Sequence, residues 1–391
     1  MSRTILDVHV LQTVPPSNIN RDDTGSPKGA VYGGVRRARV SSQAWKRATR
    51  EAFNRVLPPE ELGTRTKRVA ELVAERIVEL DESIAQEEAL ELAAATVTAA
   101  TGSKIEKPKR RKGEEEDRAP ESSYLMFLSA RQRDGLAELA VQGRADIKAF
   151  LKDAENKKRA KQIANTGHSV DIALFGRMVA DSSDINVEAS AQVAHAISVH
   201  AAEIEADYYT AVDDRRKDDE PGAGMIGTVE FNSATLYRYA AIDADRLAAN
   251  LGSGIQEDRP AAEPVRRAVE AFIRCFVESM PTGKSNTFAN HSLPSAVIVK
   301  LREARPISFA GAFEAPVPQD TPDGQVTHAC AKLTEHIAEI ERVYGAAGAK
   351  TWLLRVGEAT KPLEALGTAL PLDQMVDEVG QAVAARMENP A

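Results

Sequence analysis

The order of apolar and polar positions near the N-terminus predicts a strand, a loop, a second strand and a helix. Residues 4–13 alternate between apolar and polar side chains, which indicates a half-buried strand. Residues 14–28 form a polar loop, and residues 35–40 favour a second strand. A helix that ends near residue 57, before two prolines, follows. This mixture predicts an α+β sheet domain.

The helix is amphipathic, with Ser41 and Ser42 as candidate N-cap residues. At 100° per residue its apolar sector is formed by Trp45, Ala48, Ala52, Phe53 and Val56. The opposite face carries one amide and three cations: Gln43, Lys46, Arg47 and Arg50. A charged outer face is ordinary for a surface helix, but an entirely basic one that follows a basic strand and a Gly-Gly turn favours polyanion binding.

Patterns further along the chain predict helices, a charged loop and a long hairpin. Residues 60–100 are rich in Ala, Glu and Leu and predict helices. Residues 102–122 join a basic block to an acidic block, which predicts a mobile, solvated loop. Residues 207–230 contain two strand-like arms around a charged tip, which predicts a projecting hairpin. Amphipathic helices complete the C-terminal third.

Net charge strengthens the case for an anionic partner. The 391 residues carry a formal charge of −8, but residues 1–50 carry nine Lys/Arg and three Asp, a net +6. The other 341 residues therefore carry −14, and the basic region is a local feature of an acidic protein. The strand over residues 35–40 is expected to present Arg37 and Arg39 on one face.

Composition and motifs exclude several other classes. Two cysteines without a CxxC spacing argue against a disulfide framework or zinc ribbon, and no apolar run suits a signal peptide or membrane span, so we expect a cytoplasmic protein. Gly283-Lys284-Ser285 lacks the earlier glycine of a phosphate-binding loop, since residue 278 is Glu. We expect no cofactor or metal. Asp22-Asp23 is the only acidic pair of interest, either as turn residues or, less often, as Mg²⁺ ligands.

Six segments, in this order, resemble the CasC family, the repeated backbone subunit of the type I-E CRISPR surveillance complex Cascade. They are HVLQTVPPSNINRDD (9–23), YGGVRRARVSSQAWKRATR (32–50), VDIALFGRM (170–178), AQVAHAISVH (191–200), DYYTAVDD (207–214) and FNSATLYRYA (231–240). The resemblance covers most of the chain, and its most specific tract is RRARVSSQAWKRA.

The resemblance implies a right-hand architecture. Its palm is an RRM-like (ferredoxin-like) sheet domain that, with C-terminal helices, occupies residues 1–59 and 231–391. The fingers are a helical insertion over residues 60–197, and the thumb is a β-hairpin over residues 198–230.

The implied function is non-catalytic. Several copies bind along one CRISPR guide RNA with other Cascade subunits and present it for pairing with target DNA in antiviral defence. The family's RNA contacts match Arg21, Lys28, Ser41, Gln43, Lys46, Arg47, Arg50, Met178, Tyr208 and Tyr209. To these we add Arg37 and Arg39 of the basic strand and Thr210 beside the tyrosines.

An enzymatic alternative stays open. Backbone subunits of type III complexes share this fold and cut target RNA with a loop aspartate, a role that Asp22 or Asp23 could take. The number of copies, the contacts between neighbours and the residues that touch target DNA do not follow from the sequence.

Overall fold

The structure is a computed structural model, and it describes residues 3–106, 119–179, 183–211, 225–252, 262–346 and 349–389. The chain forms two compact units. The first comprises Met1–Ala52, Gln192–Ile242 and Val269–Ala391, and the second comprises Phe53–Ala191 and Asp243–Ala268. The palm, fingers and thumb boundaries given above stay a prediction.

The described strands, in chain order, are β1 (Ile5–Ser17), β2 (Gly29–Tyr32), β3 (Val35–Val40), β4 (Gly63–Thr66), β5 (Ile105–Glu106), β6 (Glu121–Ser122), β7 (Met126–Ser129), β8 (Ala191–Val193), β9 (Ala196–Ser198), β10 (Glu205–Ala211), β11 (Met225–Asp243), β12 (Ala296–Arg302) and β13 (Lys350–Arg355). The described α-helices are α1 (Ser42–Ala52), α2 (Val69–Leu80), α3 (Gln86–Thr101), α4 (Ala130–Gln142), α5 (Ile147–Lys152), α6 (Ala154–Ala164), α7 (Val170–Phe175), α8 (Ala244–Leu251), α9 (Ala262–Glu278), α10 (Ser285–Phe288), α11 (Gln325–Val343) and α12 (Leu372–Glu388). The α+β class is confirmed.

A single sheet organises the first unit, in the order β13-β12-β1-β11-β9-β3-β2, with β8 and β10 also pairing with β11. Because β1 lies between two other strands and is covered on both faces, its residues are buried from Ile5 to Gln12. The prediction of a half-buried strand is therefore wrong. The polar residues that alternate with apolar ones in this part of β1 are also buried, and they form hydrogen bonds with specific partners.

Asp7 is the clearest of these buried polar residues. Its carboxylate accepts hydrogen bonds from the Tyr239 hydroxyl (2.8 Å), the Arg302 Nε (2.5 Å) and the Ile307 N–H (3.1 Å). Burial raises the pKa of Asp7, while these partners oppose the rise. His9, two residues on, is also buried, and its Nδ1 lies 2.9 Å from the Tyr237 hydroxyl. His9 is thus a sheet residue with a partner.

The second unit has a helical core built by α2, α3, α4 and α6. Their small and branched residues pack around Val73, Ala93, Leu136 and Ala160, which are almost fully buried. Two short antiparallel ribbons, β4–β7 and β5–β6, accompany these helices. The predicted mobile loop at 102–122 falls largely on residues 107–118, which lie outside the described residues. None of the described helices is both long and apolar enough to cross a bilayer.

Candidate nucleic-acid interface

Helix α1 has the predicted cationic face on its outer side, and Arg238 contacts its buried side. Its residues Trp45, Ala48 and Ala52 are buried, as expected, whereas Val56 lies beyond the helix end and is exposed. The guanidinium carbon of Arg238 lies 3.7 Å from the centroid of the Trp45 ring. A cation over an aromatic face is favourable when both are shielded from water, so the ring and Arg238 fix the buried side of α1 on the sheet.

Arg238 has further partners on two other elements. Its Nη1 donates to the Gln12 Oε1 of β1 (2.6 Å), and its Nη2 donates to the Phe276 carbonyl of α9. Its guanidinium carbon also lies 4.5 Å from the Phe276 ring centroid. Burial lowers the pKa of Arg238 to about 9, which leaves the side chain charged at neutral pH. Sequence patterns did not identify this residue.

The outer face of α1 contains Gln43 and Arg47, which are exposed, and Lys46 and Arg50, which are half-buried. Burial lowers the pKa of Lys46. Arg47 pairs with Glu51 one turn later (2.7 Å), but both side chains are well exposed, so this pair leaves Arg47 accessible to an anion. The structure therefore brings all four predicted residues of the helix to one surface.

The loop before β2 is tied to the start of α1 by Asn20. The Asn20 Oδ1 accepts from the Ser41 N–H (2.8 Å), and the Asn20 carbonyl accepts from the Lys28 N–H (2.9 Å). Ser41 is buried, and its hydroxyl accepts from the Ala44 N–H (3.4 Å) at the start of the helix. The structure thus gives Ser41 a capping role. Arg21, next to Asn20, is exposed.

The hairpin β2–β3 gathers three cations around one open cavity of about 410 Å³. Lys28, Arg36 and Arg39 line it, together with the carboxylate-bearing Asp22. The Arg39 Nε donates to the Gly29 carbonyl (3.1 Å), and its Nη1 lies 3.2 Å from His195 Nδ1, contacts that orient the guanidinium across the sheet. Arg36 is an addition to the predicted residues, and the run of basic residues was its only signal in the sequence.

The prediction that Arg37 offers its charge to a polyanion is wrong. Its side chain is fully buried, and its donors reach the carbonyls of Tyr32 (3.1 Å), Ser198 (2.8 Å), Phe313 (2.8 Å) and Glu314 (3.1 Å). These hydrogen bonds satisfy the buried guanidinium and tie the hairpin to backbone carbonyls on two other segments of the chain. Arg37 therefore supports the hairpin and does not line the surface.

The tip of the same hairpin explains the Gly33-Gly34 pair. Both glycines have positive φ (59° and 78°), as a two-residue hairpin loop requires. A Cβ on Gly33 would lie 1.6 Å from the Glu314 carbonyl oxygen, so a larger residue there would push the hairpin away.

Asp22 is a turn residue in this structure. Its Oδ1 accepts from the Thr24 N–H (2.9 Å), the Thr24 hydroxyl (2.7 Å) and the Ser26 N–H (3.0 Å). Hydrogen bonding, first from the Thr24 side chain, lowers the pKa of Asp22. Across the described residues, no group of three His, Cys, Asp or Glu side chains is placed to hold a metal ion.

Met178 belongs to the second unit and is 86% exposed. The neighbouring Arg177 is buried and donates to the carbonyls of Ile185 (2.7 Å) and Ala164 (2.8 Å). Gly176, with φ of 77°, turns the chain so that a Cβ there would lie 2.7 Å from the Val187 carbonyl oxygen. Because these hydrogen bonds fix Arg177, the backbone next to it is also fixed, and the large apolar side chain of Met178 is exposed to solvent.

Five lysines of the second unit line one open cavity of about 1100 Å³: Lys148, Lys152, Lys157, Lys158 and Lys161. These lysines come from two helices, since Lys148 and Lys152 belong to α5 and the other three to α6.

The paired strands β10 and β11 carry the predicted aromatic residues. Tyr208 is 62% exposed and Tyr209 40%, and Thr210 is also exposed. Adjacent residues of a strand point to opposite faces, so the two rings do not form one platform. Tyr209 lies opposite Gly227, where a Cβ would be 2.4 Å from its ring, and this ring covers the glycine backbone. The predicted charged tip falls on residues 212–224, outside the described residues.

Comparison with known proteins gives matches over nearly the whole chain. The family model of CT1975-like proteins matches residues 6–378. A chain of a "CRISPR RNA-guided surveillance complex, pre-nicking" matches with a TM-score of 0.81 and 33% identity, over 97% of this chain and 100% of that one. A chain of a "CRISPR RNA-guided surveillance complex" matches with a TM-score of 0.72 and 30% identity, over 97% and 99%. No curated protein matches.

The contrast between Arg36 and Arg37 can be tested by substitution with methionine. Arg37→Met should lower the free energy of unfolding by about 2–4 kcal/mol, because several buried carbonyls lose their only charged donor. Arg36→Met, at the exposed neighbouring position, should change it by less than about 0.5 kcal/mol. Urea unfolding of both variants measures the difference, and equal losses would contradict the structural role of Arg37.

Proposed function

Because the chain belongs to the CT1975-like family, we propose that it is a non-catalytic subunit that binds CRISPR guide RNA. Several copies bind along one guide, together with other subunits of a type I-E surveillance complex, and the assembled RNA pairs with target DNA. Two structural relatives from CRISPR RNA-guided surveillance complexes, each matching over nearly its whole length, support this assignment.

The observation that carries the proposal is the set of cations on three connected segments of the first unit. Asn20 joins the loop to Ser41 at the start of α1 and to the N–H of Lys28 before the β2–β3 hairpin. Lys28 and Arg39 line one cavity, and Lys46 lies on the outer face of α1. Phosphates of a nucleic acid are bound by such cations, and these cations belong to the part of an acidic chain that carries a net positive charge.

The type of contact fits a guide of variable sequence. A subunit that serves every guide must hold the sugar–phosphate chain and leave the base edges free for pairing. Lysine, arginine and backbone N–H groups bind phosphate without reading sequence. The surface built around α1 has this composition, and we assign it to the RNA backbone.

Apolar and aromatic groups supply the remaining contacts. Met178 and Tyr208 are large side chains held in solvent, where they lose the stabilisation of burial. Insertion beside a base recovers it, and every base has a face that accepts an aromatic or apolar group. We assign the hairpin tyrosines to the RNA segment of a neighbouring copy, where they displace single bases.

The non-catalytic assignment is supported by the hydrogen bonds of Asp22. Three donors from Thr24 and Ser26 occupy one carboxylate oxygen and hold the side chain in the loop. A turn role of this kind accounts for Asp22 without a metal ion.

Neutralising α1 tests the RNA surface. Replacing Lys46, Arg47 and Arg50 together with Ala should leave the fold intact and abolish guide RNA retention. Lys46→Ala and Arg50→Ala should each flatten the slope of log K against log salt by about 0.7, since each removes one phosphate contact. Arg342→Ala, which removes an exposed cation of α11, is the matched control. Unchanged slopes in both α1 variants would rule out the phosphate assignment.

The enzymatic alternative has a direct assay. The complex is incubated with Mg²⁺ and RNA complementary to the guide, and we expect no cleavage. Cleavage that disappears in the double variant Asp22→Ala, Asp23→Ala would replace the scaffold with a ribonuclease.

The hairpin assignment predicts a dependence on RNA length. Tyr208→Ala with Tyr209→Ala should weaken binding to RNA that holds several copies more than binding to RNA that holds one. Each junction should lose about 1–3 kcal/mol, the value of one stacked base. Affinity is measured against RNA length. Equal losses at every length would show that the tyrosines act within one subunit, as the contact of Tyr209 with Gly227 would allow.

A further inference from the structure

The loop between α9 and β12 contains two non-glycine residues in a left-handed backbone conformation, which residues other than glycine rarely adopt. Lys284 has a φ of +48° and Ala289 a φ of +46°, and among the described non-glycine residues only these two have positive φ. They flank the short helix α10 (Ser285–Phe288). Lysine has no side-chain group that compensates for this conformation locally, so the surrounding contacts must maintain it.

The contacts that hold this loop lead to the proposed RNA surface. The backbone of Gly283 lies against the carbonyls of Asn18 and Ile19, and a Cβ on Gly283 would be only 2.4 Å from the Ile19 oxygen. Asn18 and Ile19 directly precede Asn20, which joins the basic loop to α1. Gly283 is therefore the residue that allows the two loops to touch.

A second contact joins the loop to the base of the β10–β11 hairpin. The rings of Phe288 and Phe231 lie 5.8 Å apart between centroids, and Phe231 pairs with Glu205 at the first position of the hairpin. Asn18 reaches the same place, because its Nδ2 donates to the Glu230 carbonyl (2.8 Å). The loop thus lies beside both the cationic loop and the hairpin that carries the tyrosines.

The chemistry of the loop suits an RNA backbone. Thr282, Asn286 and Thr287 are exposed, and Lys284 is half-buried. None of the ion pairs that the described residues form involves Lys284. The carbonyl of Lys284 accepts from the N–H groups of Thr287 (3.0 Å) and Phe288 (3.1 Å), which fixes the backbone from which its side chain extends.

We propose that Lys284 binds a phosphate of the guide RNA and that its strained backbone positions the ammonium group for this contact. The exposed hydroxyl and amide groups of Thr282, Asn286 and Thr287 add hydrogen bonds to the sugar–phosphate chain. The inference rests on the proposed function, since it adds a fourth segment to the surface formed by the loop, the β2–β3 hairpin and α1. It also gives a role to Gly283-Lys284-Ser285, which is no nucleotide-binding motif.

The test separates the charge of Lys284 from its backbone. Lys284→Asn and Lys284→Gly remove the charge, and both residues tolerate positive φ. Each variant should keep or raise the midpoint of thermal unfolding and flatten the slope of log K against log salt by about 0.7 for a single-stranded guide RNA. Lys284→Arg should keep the slope. Lys361→Asn, at an exposed lysine that pairs with Glu358, is the control and should leave the slope unchanged.

A double variant sharpens the comparison. Lys284→Asn combined with Lys46→Ala should flatten the slope by about 1.4, since two separate phosphate contacts are lost. If the unmodified protein binds guide RNA with a salt-dependent affinity and neither Lys284→Asn nor Lys284→Gly changes the slope, Lys284 is a structural residue and this inference fails. If the unmodified protein does not bind guide RNA, the proposed function fails first.

Discussion

The burial of guanidinium groups among carbonyls and aromatic rings is the constraint on which the cationic surface depends. A charge removed from water is costly unless hydrogen bonds and nearby electron-rich groups replace its hydration. The two Nη atoms of Arg238 meet this demand through Gln12 and Phe276, and the Trp45 ring covers its face; these partners come from three different elements. Because α1 rests on this arginine, its outer face has a fixed position relative to the sheet. Arg37 does the same for the β2–β3 hairpin.

The protein thus uses the same residue type for two opposite purposes. Arg36 and Arg37 are adjacent, yet one lines an open cavity and the other is enclosed by carbonyls. A buried arginine such as Arg177 likewise stands beside the exposed Met178. In both places the buried residue fixes the backbone, so that its exposed neighbour loses less backbone entropy on binding.

The sequence predicted those parts of the fold that depend on local pattern. The α+β class and the apolar face of α1 follow from periodicity, and the recognition of a Cascade backbone subunit is confirmed by the family and structural matches. The RRM-like detail of the palm and the type I-E branch stay predictions. Sequence patterns failed where burial depends on residues that are distant in the chain. Strand β1 is covered on both faces, and Arg37 donates hydrogen bonds to the carbonyls of Ser198 and Phe313. Strand alternation places Arg36 and Arg37 on opposite faces but does not tell which face is buried, and the partners of Arg238 are equally non-local.

Strand β11 runs without interruption from Met225 to Asp243, 19 residues that include one arm of the hairpin and a central strand of the sheet. At about 3.3 Å per residue it is roughly 60 Å long. On this side the hairpin arm and the sheet strand are therefore one continuous element. A force applied to the arm is transmitted along the strand as shear against the hydrogen bonds of the central sheet, which must break together before the strand slides. The resistance of the hairpin arm to bending therefore depends on the hydrogen bonds that hold β11 in the sheet.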